Sequence, residues 1–321
     1  MIRSARHPHL APSSIAERFP QIPDHLRATA IELRSDGVEV TLLPDAGLRV
    51  GSIVVGGREL LVRENGHPAT WGVFPMAPWA GRMANGEFVD LAGTTHRFAP
   101  TWGDHAFHGR LYQGSANEQN VSGDGRSAVM HAPLDRAAGW PLDARAEVSA
   151  ELRGNAAAGA LTITLTVVAD VEQLVTAGWH PCFRRFLLDA VLRSEVGEEG
   201  VLSIAPTGVL ARDPAMPGLH LVDEVRPAGD GGIAAAGTGA TWDDPFVGVV
   251  TPPQIAWGDA LTLTLTAGAA VTHWMVYDPD EALCVEPQVG PPDALHRGGA
   301  VHLQAGERLS VPLTLAWRSK I

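Results

Sequence analysis

Ala160-Leu161-Thr162-Ile163-Thr164-Leu165-Thr166 alternates apolar and polar side chains without a break. Successive side chains of a strand point to opposite faces, so this pattern buries one face and wets the other. Such alternation belongs to antiparallel sheet with one side on a core. Ala260-Leu261-Thr262-Leu263-Thr264-Leu265-Thr266 nearly repeats it, and Leu309 to Trp317 ends the chain in the same style. The residues flanking the two Leu/Thr runs differ, so the likeness reflects shared strand composition and not a duplicated domain.

The same period extends towards the N-terminus. Ala30 to Arg34 and Val38 to Leu42 alternate on either side of Ser35-Asp36-Gly37, a hairpin turn. Leu48 to Val55 and Leu60 to Val62 continue it across Gly56-Gly57, and Gly86 to Leu91 pairs with Thr95 to Phe98 around Ala92-Gly93-Thr94. Long amphipathic helices are absent. Asp189 to Gly197 and Thr207 to Ala215 read as a helical turn each, and Gly/Ala-rich Ala228 to Gly239 as a flexible loop. About 18–20 short strands separated by turn signals give an all-β fold, a large antiparallel β-sandwich. Residues 1–28, polar and carrying Pro8, Pro12, Pro20 and Pro23, read as an N-terminal arm, and 29–321 as a single domain.

Composition narrows the function. The net charge of −12 argues against nucleic acid or an anionic membrane as the main partner. Neither a secretory signal at Met1 to Pro20 nor an apolar run of roughly 20 residues is present, so the expected location is cytoplasmic. Cys182 and Cys284 are the only cysteines, too few for a disulfide framework or a cysteine metal site, and they read as buried free thiols.

Polar groups look positioned in five places. Glu286 follows the apolar run Leu283-Cys284-Val285 and precedes Pro287, which lacks an N–H. The strand should therefore end there, with a partly desolvated Glu286 at the sheet rim and Gln288 just beyond. His180 stands in Trp179-His180-Pro181-Cys182-Phe183 with the same residue-proline grammar, at the end of an apolar strand from Leu174 to Gly178. Trp179 and Phe183 would flank it as an aromatic platform. Arg82 and Asn85 lie among Gly/Pro turns, and arginine offers a rigid fork of donors for oxygen-rich ligands. His105 and His108 invite a metal reading with Glu286, but strand spacing would put them on opposite faces, so no metal is expected. Trp242-Asp243-Asp244-Pro245-Phe246 is explained equally well as an Asp-Pro turn. P-loop, dinucleotide and serine-elbow motifs are missing. An acid, one or two histidines, an arginine and several tryptophans on a β scaffold suit carbohydrate and proton transfer without a cofactor.

In this order these motifs resemble the aldose 1-epimerases, the galactose mutarotase family. Gly81-Arg82-Met83-Ala84-Asn85-Gly86-Glu87-Phe88 resembles its N-R-I-A-x-G-x-F, His108-Gly109 its L-H-G-G, and His180-Pro181-Cys182-Phe183 its H-P-Y-F. Trp242 to Phe246 is similar to its D-H-P-F, and Glu286-Pro287-Gln288 with Pro292-Asp293-Ala294 to its E-x-Q-x-x-P-D-A. The resemblance implies a β-supersandwich and an isomerase that interconverts the α and β anomers of an aldose. By position, Glu286 matches the general base, His180 the general acid, and Arg82, His108, Asp243, Asn85 and Gln288 the substrate contacts. Gly81, Arg110 and Cys182 depart from the pattern, so the preferred sugar stays open. Arg110, Arg184 and Arg185 keep a hexose-phosphate mutarotase as an alternative, and a non-catalytic sugar-binding or sensing domain is another. A glycosidase is disfavoured because no second carboxylate has a placement comparable to Glu286. The expected partner is a small-molecule sugar, the expected state a monomer or homodimer.

Overall fold

Two antiparallel sheets carry the chain in the computed structural model, which describes residues 22–190, 195–228, 233–235 and 242–320. The first sheet starts with Ile31–Ser35, Val38–Leu43 and Arg49–Val55, followed by Arg58–Leu61 and Val73–Met76. It continues through Gly178–Asp189, Ala282–Gln288, His273–Tyr277, Asp243–Val247, Gly208–Arg212 and His220–Pro227. The second begins with Glu118–Val121, Ser127–Leu134, Ala144–Gly154 and Ala158–Ala169. Arg308–Ser319, Leu261–Ala267, Gln254–Trp257, Glu195–Ile204 and Ile233–Ala235 complete it. The sheets join where Phe186 pairs with Glu199 across a bulge.

The Leu/Thr runs explain the core. Leu161, Ile163 and Leu165 face inward with no exposure, and Leu313 and Leu315 pair beside them. They share one apolar cluster with Leu33, Val40 and Ile53 of the first sheet, so the two sheets pack face to face. Burying each such side chain stabilises the fold by about 1.5–3 kcal/mol. The outward threonines pair across the ladder, as Thr162 and Thr314 do at 3.0 Å. Two tryptophans buried in this core keep their N–H groups bonded: Trp179 donates to Val311 O at 2.8 Å and Trp317 to Asn155 O at 2.9 Å.

Some expectations fail here. Thr207 to Ala215 contains the strand Gly208–Arg212 and not a helical turn, because it pairs with Asp243–Val247 and His220–Pro227. Asp189 ends the strand Gly178–Asp189 and Glu195 begins the next; residues 191–194 lie outside the described residues. Of the expected loop from Ala228 to Gly239, Ile233–Ala235 is a strand pairing with Leu202 to Ile204, and 229–232 and 236–239 lie outside the described residues. The described residues hold 26 strands, more than expected, because several two- and three-residue strands interrupt apparent loops. Most of the N-terminal arm, 1–21, is likewise outside them. Its end forms the short helix Asp24–Arg27, and Ile22 and Leu26 are buried against Trp71, Cys182 and Cys284. No helix among the described residues is long and apolar enough to cross a membrane.

Candidate active site

Gly178–Asp189 and Ala282–Gln288 lie side by side, and their register builds the site. Gly178 pairs with Gln288 and Cys182 with Cys284, which puts His180 opposite Glu286. Odd-numbered Trp179, Phe183, Leu283 and Val285 enter the sandwich core, so even-numbered His180, Cys182, Cys284, Glu286 and Gln288 share the other face. Trp179 and Phe183 therefore cannot flank a sugar at His180. Nor does the strand end at Glu286: Ala282–Gln288 runs through Pro287, which pairs with Trp274 on the far side. What the prolines do is interrupt the ladder between the two strands, because Pro181 and Pro287 supply no N–H and no pairing joins 179–181 to 285–287. His180 likewise sits near the start of a long strand, not at the end of one.

His180 Nε2 lies 3.2 Å from Glu286 Oε1, and both side chains are buried. Gln288 Nε2 donates to Glu286 Oε2 at 3.1 Å, fixing the carboxylate plane. Burial pushes the Glu286 carboxyl up to about 7 against the pull of His180. Burial works against a charge on His180, but Glu286 and Cys182 outweigh it and lift its pKa to about 9. Behind the ring, Cys182 Sγ is 3.3 Å from His180 Nδ1. Phe74 stacks on the imidazole, centroids 4.5 Å apart at 14°.

His180, Glu286 and Gln288 floor a cleft that opens to solvent. His108 stands edge-on to His180 at 5.0 Å, and neither of its buried ring nitrogens has a partner among the described residues. Burial, then His180 and Arg82, push its pKa well down, so it is neutral. Local backbone explains its aim: His108 and Gly109 have φ of 56° and 76°, and a Cβ on Gly109 would meet Ala77 O at 2.0 Å. Arg82 donates to Gly218 O at 2.7 Å and to both oxygens of Asp243 at 3.1 and 2.8 Å. Asp293 ties down the arginine's loop, donating its N–H to Arg82 O and accepting from Ala84 N–H.

The two adjacent aspartates part company as strand neighbours must. Asp243 lines the cleft, whereas Asp244 accepts from Arg212 at 2.8 and 3.0 Å and from His220 at 3.3 Å. Asp243 thus lines the same cleft as Glu286, with both its oxygens accepting from Arg82. Asn85 does not line the cleft. It sits exposed with φ of 52° in the turn Ala84–Gly86, which carries its side chain to solvent. His105 is separated from His108, bonding Pro217 O and Asn85 N–H instead. Sequence reasoning missed Met275 and Tyr277, which line the cleft from the strand beside Glu286. A period-two reading of His273–Tyr277 would have exposed both.

The remaining arginines are used elsewhere. Arg110 donates to Ala138 O, Arg184 pairs with Glu195, and Arg185 with Glu199 and the carbonyls of Pro279 and Asp280. Among the described residues, Arg82 is the only arginine or lysine lining the cleft.

Comparison with known proteins matches residues 30–209 to the family model of aldose 1-epimerase. A search of curated protein sequences finds no match. Similar solved structures include a putative aldose 1-epimerase from Escherichia coli K12, at 18% identity and TM-score 0.72, covering 91% of this chain and 99% of that one. The GalM/aldose epimerase homologue from C. elegans, at 17% identity, has a TM-score of 0.71 over 90% of this chain and 98% of its own. A galactose 1-epimerase from Lactobacillus acidophilus NCFM, 15% identical, has a TM-score of 0.71 over 90% and 93%. At these identities the structures establish a common fold.

Proposed function

The chain belongs to the aldose 1-epimerase family, and from that premise we propose that it interconverts the α and β anomers of an unphosphorylated aldose by proton transfer between its own side chains. One observation carries the reading: His180 Nε2 and Glu286 Oε1 are 3.2 Å apart on the floor of the cleft. In a cyclic aldose the O1 hydroxyl and the ring oxygen O5 are bonded to the same carbon, C1. A base for one and an acid for the other must therefore sit close together. Glu286 takes the O1 proton while His180 gives one to O5, and the C1–O5 bond breaks to leave an aldehyde. Rotation about C1–C2 turns the other carbonyl face towards O5. The two proton transfers then run in reverse, and both side chains return to their starting states.

The acid and base are tuned in the required order. Between about pH 7 and 9 Glu286 is ionised and His180 protonated, ready for their roles. Neutral His108 and the fork of Arg82 offer donors to sugar oxygens, and Asp243 an acceptor. Among the described residues the one guanidinium lining the cleft, Arg82, is already paired with Asp243 and Gly218 O, which favours an unphosphorylated sugar. Polarimetry on freshly dissolved α-D-glucose and α-D-galactose tests the reading, with wild type beside Glu286→Gln and His180→Ala. Wild type should hasten mutarotation and both variants lose most of that rate. No acceleration over buffer with any aldose, alongside retained sugar binding, would leave a binding domain instead.

A further inference from the structure

Cys182 and Cys284 face one another across adjacent antiparallel strands. The Cys182 N–H donates to Gly72 O at 2.8 Å and its carbonyl accepts from Val62 N–H at 2.9 Å, both on the side away from Cys284. Bonds between the two cysteine-bearing strands come from odd positions, with Val289 N–H donating to Ala177 O and Arg185 N–H to Glu281 O. Cys182 and Cys284 are therefore a non-hydrogen-bonded pair, the class with Cα atoms about 4.5 Å apart and side chains closest. That spacing lies inside the disulfide range, roughly 4.4–6.8 Å, at its short and easily reduced end. Both Sγ atoms and a ring nitrogen of His180 lie within 4.8 Å of one another, and Cys182 Sγ is 3.3 Å from His180 Nδ1. The proton transfers described above use only the other ring nitrogen, Nε2.

We propose that Cys182 and Cys284 are an oxidative modification site, which a peroxide closes into a reversible cross-strand disulfide that takes the thiol from His180 Nδ1 and slows turnover. The slowing rests on the mutarotase reading; the disulfide does not. Cys182 is the attacking thiol. Burial works against its thiolate, but the Cys284 thiol and His180 pull its pKa down, while Cys284 is pushed up. The Cys182 thiolate attacks one peroxide oxygen, breaking the O–O bond and giving a sulfenic acid and hydroxide, which takes up the proton Cys182 lost. Cys284 then attacks Cys182 Sγ as its own proton leaves with the expelled hydroxide, and the S–S bond forms. Two thiols are oxidised and one peroxide becomes two waters. A dithiol reverses the step by exchange. The pair is buried with Ile22, Leu26 and Trp71, a setting closed to a bulky disulfide, so the oxidant proposed is a small neutral peroxide. Once bonded to sulfur, Cys182 Sγ carries neither proton nor charge, and His180 loses the group that holds its Nε2 towards Glu286.

The test treats the reduced full chain with hydrogen peroxide, then reads intact mass after denaturing alkylation together with polarimetric rate. Expected are the loss of two hydrogens from the monomer, protection of both cysteines from alkylation until dithiothreitol is added, and a reversible rate loss of roughly tenfold or more. In Cys284→Ser the intramolecular disulfide should not form. Two alkylatable thiols after peroxide, sulfinic acid, or only chain-to-chain disulfides would overturn the proposal. So would a closed disulfide that leaves an active enzyme's rate unchanged. A reduced protein with no mutarotase activity would sink the function proposed above, while the mass readout would still decide the disulfide.

Discussion

His180 and Glu286 meet at 3.2 Å because a single register holds their strands, with Gly178 opposite Gln288 on one side and Cys182 opposite Cys284 on the other. Pro181 and Pro287 deprive the ladder of donors at this level, so the two side chains stand where the strands are not hydrogen-bonded to each other. A carboxyl and an imidazole buried together in this way bias each other's charge, and that bias can be read in the pH dependence of the reaction.

The rate constant kcat/KM should be bell-shaped with its plateau between about pH 7 and 9. Below about 7 Glu286 takes up a proton and can no longer accept one from O1; above about 9 His180 has lost the proton that O5 needs. The two limbs belong to the interacting pair, as is general for close titrating groups. Glu286→Gln should lower the rate by about 10²–10⁴-fold and flatten the acidic limb of what remains. A rate that climbs steadily towards pH 5 would contradict the assignment.

His108 makes a separable prediction. Its two ring nitrogens are buried without a partner among the described residues, a burden of about 1–3 kcal/mol. Asparagine tolerates the φ of 56° at this position. His108→Asn should therefore lower kcat/KM by about tenfold, the loss of roughly one hydrogen bond to substrate, while leaving the denaturant midpoint unchanged or raised. A large fall in the midpoint would mean that His108 serves the fold and not the sugar.

Phe74 supports the acid from below. Its ring is fully buried, stacked on His180 and edge-on to His108 at 5.7 Å. Phe74→Leu should cost about 1–3 kcal/mol of stability from the lost ring contacts and the cavity left behind. It should also lower kcat more than it changes KM, since the ring orients His180 without reaching into the cleft. Chemical denaturation and steady-state kinetics on the same preparation separate the two effects.

The sandwich was legible because its signal is local. Strict alternation at Ala160 to Thr166 and Ala260 to Thr266 specifies both the strand and its buried face, and Gly37 and Gly56-Gly57 mark hairpins. The site was legible only as motifs. Glu286, His180, Arg82 and His108 do converge, but the reason is register, which depends on strands more than a hundred positions apart in sequence. The same gap hid the register that sets Cys182 against Cys284 and the place of Met275 and Tyr277 in the cleft. Proline misled for a related reason: on an isolated strand Pro287 reads as a stop, whereas in the sheet it interrupts one ladder and lets the other continue. Asn85 shows the limit of a motif match, since a left-handed turn sends its side chain to solvent.

Asp243 and Asp244 offer the sharpest test of where the cleft ends, because adjacent strand residues should give opposite readouts. Asp243 faces the cleft on the fork of Arg82, so Asp243→Asn should raise KM, with the amide still able to accept one of the two bonds and stability falling little. Asp244 faces away. Burial would raise its pKa, but the bonds from His220 and Arg212 prevail and hold it at about 2. Its folded pKa lies below the ordinary carboxylate value of about 3.9, so its stabilisation is present above that pH and is lost as pH falls through about 2. A depression of this size corresponds to roughly 2 kcal/mol. Asp244→Asn should then lower unfolding free energy at pH 7 by about that amount, with the deficit shrinking towards zero near pH 2 and KM almost unchanged. Urea unfolding at several pH values and sugar titrations on both variants would decide it, and a KM effect confined to Asp244→Asn would reverse the assignment of the two faces.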